Sequence, residues 1–141
     1  MKSEFLEINK NINRGFCKLE IWKKAVEIYR VVHDTISKNR DIPLKIKSQV
    51  EDSAFSISSN IAEGYSRRTL KETLRFYEIA LASSAENYSQ IFTLYNAEQI
   101  SEIFFKEYDS KMYELENGII KMNKNLISRM NSSEEWNTNY D

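Results

Sequence analysis

Apolar side chains recur at intervals of three and four residues along four stretches of the chain, the spacing of one face of an α-helix. The stretches cover about residues 18–39, 44–63, 69–95 and 101–130. In the last stretch the steps alternate between four and three, which predicts a heptad-like seam between nearly parallel helices. The residues predicted to face the core are Trp22, Ala25, Val26, Tyr29, Val32, Ile36, Ile46, Val50, Ala54, Ile57, Ile61, Leu70, Leu74, Tyr77, Leu81, Ala85 (or Ser84), Tyr88, Ile91, Tyr95, Tyr108, Met112, Leu115, Ile119, Met122 and Leu126.

Residues that start or end helices separate the four stretches. Pro43 cannot donate a backbone hydrogen bond but is tolerated in a first turn, so the second helix is expected to start beside it. Gly64 is expected to end that helix in the left-handed conformation. Thr69 and Glu72 match a capping box for the third helix, and Ser101 is a good N-cap for the fourth.

The connections between the stretches are short, so consecutive helices are expected to run antiparallel. The predicted fold is all-α, an up-down-up-down antiparallel four-helix bundle over residues 18–130. Residues 1–17 form an N-terminal arm, and residues 131–141 are expected to be a disordered polar tail. The third and fourth helices, at about 27 residues and about 40 Å each, should overhang the first two and leave apolar surface for a second subunit.

Composition supports long helices and restricts the chemistry. The chain has only 3 glycines and 1 proline, whereas sheet-rich domains need many turn residues. The single Cys17 excludes an internal disulfide. No apolar run approaches the ~20 residues of a membrane span and the N-terminus lacks a secretory core, so a soluble cytoplasmic protein is expected.

Catalytic and metal chemistry find no support in the residue pattern. A di-metal carboxylate bundle needs two Glu-x-x-His motifs, but His33 is the single histidine and Arg30 stands three residues before it. The presence of a single histidine also argues against a nucleophilic triad, and the sequence contains no glycine-rich phosphate loop. The sequence therefore predicts no enzyme, no cofactor and no metal.

Charge is unevenly distributed and suggests one candidate binding strip. Residues 1–80 carry a net charge of +4 and residues 81–141 carry −5. The strongest basic cluster is Arg67, Arg68, Lys71 and Arg75, of which the last three share one helix face. Three interpretations remain open: a solvated face with ion pairs, phosphate contacts to nucleic acid, or docking of an acidic protein.

Aromatic residues outside the inward stripes suggest self-association. The chain has 8 tyrosines and 7 phenylalanines, and most of them fall on predicted core positions. Phe76, Phe92, Phe105 and Tyr113 fall off those positions and would be partly exposed on a monomer. Exposed aromatic side chains on helices more often mark a protein interface than a nucleotide platform, which predicts a homo-oligomer.

Three sequence motifs resemble a known family. LEIW stands at residues 19–22, followed by Lys24 and Ala25, and SISSNIAEG stands at residues 56–64. A third motif follows Arg68 and Thr69, with the matching positions Glu72, Arg75, Phe76, Ile79, Ala80, Ser83 and Glu86. Over residues 16–130 the chain resembles the bacterial proteins encoded within intervening sequences of 23S ribosomal RNA genes.

The resemblance implies an up-and-down bundle that assembles as homo-oligomers, commonly ring-like pentamers. A relative, the accessory protein of diversity-generating retroelements, works with a reverse transcriptase and nucleic acid, while most members have no established activity. The residues at the end of the second motif are expected to have a mainly structural role at the end of the second helix, and a ligand site is the alternative. They are Asn60, Ile61, Ala62, Glu63 and Gly64.

Two departures from the family pattern affect these expectations. Glu51 and Asp52 stand where relatives usually carry a basic pair, which weakens a nucleic-acid role. Ser58 replaces a usual proline, which suggests a straighter second helix. The sequence therefore predicts a non-enzymatic homo-oligomeric interaction module, a pentamer by resemblance. The alternative is an accessory protein that binds RNA, or a nucleic-acid enzyme, through the basic strip.

Overall fold

The computed structural model describes residues 2–138, with side-chain environments through residue 132. Two short 3-10 helices, Ser3–Glu7 and Ile12–Lys18, form the N-terminal arm. Four α-helices follow: α1 (Glu20–Ile36), α2 (Leu44–Tyr65), α3 (Leu70–Asn96) and α4 (Glu102–Thr138). No strand occurs within residues 2–138, so the predicted all-α class is confirmed.

Side-chain contacts across the four seams show an antiparallel bundle. At each seam, residue numbers rise on one helix as they fall on the other, and α1 closes the bundle against α4. The α1–α2 seam contains the contacts Tyr29–Phe55 and His33–Glu51, and the α2–α3 seam contains Ser53–Gln90 and Ser56–Ser83. The α3–α4 seam contains Tyr88–Asp109 and Tyr95–Phe105, and the α4–α1 seam contains Lys111–Glu27 and Gly118–Ile21.

The core matches the predicted stripe best on α4. The α4 seam from Tyr108 to Ile119 is fully buried, as its heptad-like spacing predicts. On α1, the predicted Trp22, Val26 and Tyr29 are only half-buried, whereas Ile21, Ile28 and Val31 are buried beside the predicted Ala25, Val32 and Ile36. On α2, the predicted inward position of Ile46 is wrong, since this side chain is 38% exposed.

On α3, the predicted Leu81, Tyr88 and Tyr95 are half-buried. The buried line is displaced toward α2 and consists of Tyr77, Ala80, Ser83, Ser84, Asn87, Ile91 and Leu94. Small and polar side chains on this line let α3 approach α2 closely, which hydrophobicity alone does not reveal.

The predicted helix starts are confirmed at atomic detail. Thr69 Oγ1 accepts a hydrogen bond from the Glu72 amide at 3.2 Å, which satisfies one free N–H at the start of α3. The Glu72 carboxylate accepts from the Thr69 hydroxyl at 3.3 Å rather than from its backbone amide. Ser101 Oγ accepts from the Phe104 amide at 3.1 Å at the start of α4.

The predicted role of Gly64 as a left-handed helix stop is wrong. α2 continues through Gly64 to Tyr65, and no glycine in the described residues has a positive φ. A Cβ at Gly64 would lie 2.9 Å from the Phe76 Cβ and 3.0 Å from the Tyr77 ring. Glycine is therefore needed at this position because α3 packs directly on the α2 backbone.

The fourth helix is longer than its apolar pattern predicts. α3 has the expected 27 residues, whereas α4 has 37 and spans about 55 Å. Residues 131–138 of α4 belong to the segment predicted to be a polar tail, and residues 139–141 lie outside the described residues. The predicted boundary at residue 130 therefore does not coincide with the end of α4.

Candidate interaction surfaces

The basic strip lies at the turn between α2 and α3, and its four residues divide into two groups. Arg68, Lys71 and Arg75 are exposed, and among the described residues no carboxylate lies within salt-bridge distance of them. Arg67 instead pairs with Glu63 one turn earlier on α2. The three unpaired cations therefore form the available positive surface.

Arg67 is held in place by a second contact. Its guanidinium carbon lies 4.5 Å from the centroid of the Phe76 ring, a cation–π geometry. Phe76 in turn packs at Gly64, where the α2 backbone meets α3. Arg67 therefore contributes to the α2–α3 junction, unlike the three residues with which the sequence groups it.

The family motif on α2 is built into the bundle. Asn60 Nδ2 donates to the Ser56 carbonyl at 2.8 Å and to its hydroxyl at 2.9 Å, within α2 itself. Ile61 is fully buried, and Glu63 is the partner of Arg67. Asn60 and Glu63 therefore interact with residues one turn away along the chain, while Ile61 packs in the core.

Ala62 and Glu63 also face the N-terminal arm. They border an open depression of about 320 Å³, to which Asn13 and Phe16 of the arm contribute. Phe16 is fixed by an edge-to-face contact with Trp22, with ring centroids 5.2 Å apart. The motif on α2 and the LEIW segment at the start of α1 therefore both lie against the second half of the arm.

The four aromatic residues predicted at an interface do not form one patch. Phe92 and Phe105 contact each other across the outer seam of α3 and α4, with centroids 5.8 Å apart. Phe105 also stacks on Tyr95 at 4.4 Å. Tyr113 lies further along α4 and is 66% exposed. Phe76 is separate from these three, on the side of α3 that faces α2.

A second apolar stripe on α4, which was not predicted from the sequence, extends the exposed surface. Ile120 and Ile127 follow Tyr113 at intervals of seven residues and are 38% and 46% exposed. With Phe92, which is 47% exposed, these residues form what we term the α3–α4 face. Seven-residue spacing was the available signal, but the stronger inward seam on the same helix obscured it.

Two carboxylates lie along the α3–α4 face. Asp109 accepts a hydrogen bond from the Tyr88 hydroxyl at 2.8 Å, which raises the pKa of Tyr88. Partial burial, and secondarily the nearby Asp109, raises the pKa of Glu116 above its ordinary value. No cation lies within salt-bridge distance of either carboxylate in the described part of the chain.

A buried polar network joins α2, α3 and α4, and hydrophobic periodicity does not predict it. Asn87 Nδ2 donates to the Val50 carbonyl and to Ser53 Oγ, both at 3.0 Å. Tyr108 donates to Asn87 Oδ1 at 2.5 Å, while Ser53 donates to Gln90 at 2.6 Å. Both Asn87 and Tyr108 are completely buried, so the network stabilises one relative arrangement of the helices.

The residues that depart from the family pattern have ordinary local environments. Glu51 lies 2.7 Å from His33 Nδ1, across the seam between α1 and α2. His33 stacks on Tyr29, and about half of its side chain is exposed. Asp52 is exposed. This part of α2 therefore presents acidic groups, of which Glu51 is held by His33.

Neither a metal centre nor a membrane span is found in the described residues. No group of three or more His, Cys, Asp or Glu side chains there is arranged to hold a metal ion. No helix there combines the length and the apolarity needed to cross a bilayer.

Comparison with known proteins identifies the family. No curated protein matches the sequence. A protein of unknown function from the S23 ribosomal protein family of Bacteroides thetaiotaomicron VPI-5482 has a similar fold, with a TM-score of 0.68 and 21% sequence identity. The match covers 74% of this chain and 98% of that structure. The family model described as 23S rRNA-intervening sequence protein matches residues 17–121, so the chain belongs to this family.

Proposed function

We propose that this protein is a non-enzymatic helical interaction module that works as a homo-oligomer. The observation that carries the proposal is the α3–α4 face, where Phe92, Tyr113, Ile120 and Ile127 expose apolar side chains along one seam. Exposed apolar side chains that are grouped on one face, rather than scattered singly, mark interaction sites on soluble proteins. A second copy of the chain is the proposed partner.

The spacing of α4 supports a helical partner at this face. One heptad-like seam of α4, from Tyr108 to Ile119, is buried inside the bundle. Tyr113, Ile120 and Ile127 repeat every seven residues outside that seam, the periodicity expected where a second helix packs alongside. α4 would thus serve two interfaces, one within the subunit and one between subunits.

The pentameric state, the absence of catalysis and the cytoplasmic location rest on other grounds. The pentamer is the stoichiometry that the family resemblance implies. The non-enzymatic role rests on the residue pattern, with one histidine and one cysteine in 141 residues. The location rests on the apolar pattern of these residues, in which no run approaches the ~20 residues of a membrane span.

Light scattering on a sizing column tests the oligomer. We expect the wild-type protein to elute at a multiple of its 16.6 kDa subunit mass. Tyr113→Glu combined with Ile120→Glu should yield monomers with unchanged helix content, because charges would be buried at the interface. Ile103→Glu is the matched control, since Ile103 is 84% exposed on the same helix but outside the stripe. A monomeric wild-type protein would refute the proposal.

RNA binding is the second candidate, and one observation favours it. Arg68, Lys71 and Arg75 are exposed cations without a carboxylate partner in the described residues. Unpaired cations on one helix face suit the phosphate backbone, whose contacts are salt-dependent and independent of sequence. Thr69, which caps α3, fixes the orientation of this face.

Charge reversal separates this candidate from a merely solvated helix face. Arg68→Glu with Arg75→Glu should abolish the retardation of a structured RNA at low salt and leave the oligomer size unchanged. Lys38→Glu with Arg40→Glu, at the opposite end of the bundle, makes the same change in charge away from the strip. If retardation survives the first pair of substitutions, or is lost equally with the second, the strip is not the RNA site.

A further inference from the structure

The N-terminal arm and the end of the bundle together form a half-open cavity. The cavity has a volume of about 480 Å³, and residues of both 3-10 helices and the turn between them form most of its wall. Lys23 of α1 and Tyr65 at the end of α2 complete it. A volume between about 300 and 1,000 Å³ is typical of small-molecule sites.

The lining of the cavity has a clear excess of positive charge. Lys10, Arg14, Lys18 and Lys23 face it, whereas Glu7 is the one carboxylate among its lining residues. The hydrogen bond from Lys10 lowers the pKa of Glu7, which therefore stays ionised at neutral pH. The lining consequently carries a net charge of +3.

Two of these cations, Lys18 and Arg14, have no carboxylate within salt-bridge distance in the described residues. Lys23 pairs with Glu20 at 3.5 Å on the exposed surface of α1, a weak pair that a phosphate group can displace. Arg14 is oriented by a hydrogen bond from its guanidinium to the Asn9 carbonyl at 3.1 Å, which is neutral. Uncompensated cations around a concave surface attract phosphate groups.

The same cavity has an apolar and aromatic wall. Phe5 and Ile12 line it although they are 63% and 97% exposed, so a ligand that covered them would remove apolar surface from water. The Tyr65 ring lies so close to Gly15 that a Cβ there would be 2.7 Å from a ring carbon. Glycine at this position lets the arm approach the ring and set it in the wall.

We propose that this cavity binds a phosphate-bearing ligand with a planar aromatic ring, of about the size of a mononucleotide. Lys18 and Lys23 would contact the phosphate, with Arg14 as a third donor, and the ring would lie against Tyr65 and Phe5. Cations for phosphate and aromatic side chains for a base are the two recurring elements of nucleotide recognition. The site is separate from the α3–α4 face and from the basic strip at the start of α3.

Calorimetric titration of the full-length protein with ATP, tripolyphosphate and adenosine tests the two halves of the site. ATP is expected to bind more tightly than either part alone. Lys18→Glu with Lys23→Glu should weaken ATP binding by at least about tenfold, since two charge-assisted contacts are lost. Lys45→Glu with Lys47→Glu, on the first turns of α2, is the matched control and should leave the affinity unchanged.

A second pair of variants tests the contact between the aromatic wall and the ring of the ligand. It also controls for variants that weaken binding only because the arm no longer packs on the bundle. Phe5→Ser should weaken ATP but not tripolyphosphate, and Tyr65→Phe keeps the contact with Gly15 and should leave both affinities within about twofold. No heat with ATP at about 1 mM, or equal affinity for ATP and tripolyphosphate, would overturn the proposal.

The source of the ligand is decided by comparing AMP with a short RNA carrying a 5′-phosphate. Tighter binding of AMP assigns the site to a free nucleotide, and tighter binding of the RNA assigns it to a strand end. Arg68→Glu with Arg75→Glu should leave AMP binding unchanged. If it abolishes AMP binding, the basic strip and not this cavity holds the phosphate.

Discussion

At the scale of single residues, glycine and asparagine have roles that their usual preferences do not indicate. Gly64 lies within α2 and allows α3 to pack on its backbone, although a glycine near a helix end usually terminates the helix. Asn87 is completely buried on α3 and bonded to α2 and α4. Both roles depend on which neighbour faces the residue, which is a tertiary property.

Gly64→Ala should destabilise the protein, by about 1–2 kcal/mol, as measured by urea unfolding. The added methyl would meet the Phe76 Cβ, which cannot move without the α3 backbone, and this strain exceeds the gain in helix propensity. Gly118→Ala is the control, because the close contact there is with one methyl of Ile21. Equal or higher stability of Gly64→Ala than of Gly118→Ala would contradict this explanation.

Asn87→Ala should cost about 2–3 kcal/mol of unfolding free energy, because it leaves the buried Tyr108 hydroxyl without its acceptor. Tyr108→Phe should cost less, and the double variant less than the sum of the two, as expected for directly bonded groups. The unfolding free energies of the wild type, the two single variants and the double variant, measured by thermal or urea unfolding, give the double-mutant cycle. Strict additivity would show that the hydrogen bond contributes nothing measurable.

At the scale of the elements, α4 differs most from its prediction. Its inward seam is where the alternating steps of four and three place it. Its outward stripe and its extension past residue 130 are additional features, and both increase the surface that α4 presents. α3 differs in another way, because its buried line is turned toward α2 by small and polar side chains.

Glu116 on the α3–α4 face should make stability depend on pH. The folded-state pKa of Glu116 is raised above the ordinary 4.5, so the folded protein binds its proton more tightly than the unfolded chain does. The contribution of Glu116 to stability is therefore greatest below pH 4.5 and falls as pH rises through the raised pKa. Glu116→Gln should raise the melting temperature at pH 7 and have a smaller effect at pH 4.

The exposed Glu114→Gln, two residues away, controls for the change in net charge. A lower melting temperature of Glu116→Gln at pH 7 would show that Glu116 is paired with a cation, which another subunit would have to supply.

At the scale of the whole molecule, one end of the bundle combines most of the candidate chemistry. The arm, the end of α2 and the start of α3 meet there, since α2 and α3 are antiparallel and joined by a short turn. The cavity lining and the unpaired strip cations both lie at this end. The α3–α4 face runs along the side, so self-association would leave the basic end accessible.

Removal of residues 131–141 should leave the bundle as stable as the full-length chain. Leu126 is the last fully packed core residue of α4 among the described side chains, so the truncation removes no core contact described there. The melting temperature should change by less than about 2 °C. A larger loss would show that the C-terminal segment packs on the bundle or on another subunit.

The sequence by itself determined the four helices, their order and their antiparallel arrangement. These properties follow from local information: apolar spacing, Pro43, the caps at Thr69 and Ser101, and connections too short for any other path. The basic strip was also visible, because three residues at helical spacing share a face in any helix. Family membership was visible as well, because the three motifs that carry it are short stretches of consecutive or closely spaced residues.

Only the tertiary structure decided how each helix is rotated about its own axis. That rotation buried Ser53 and Asn87 and left Ile120 outside the core. The tertiary structure also placed the arm against Tyr65, where the two form part of the wall of a half-open cavity. A rotation of a few tens of degrees changes which side chains meet while leaving the apolar period intact, so the period alone cannot specify these contacts.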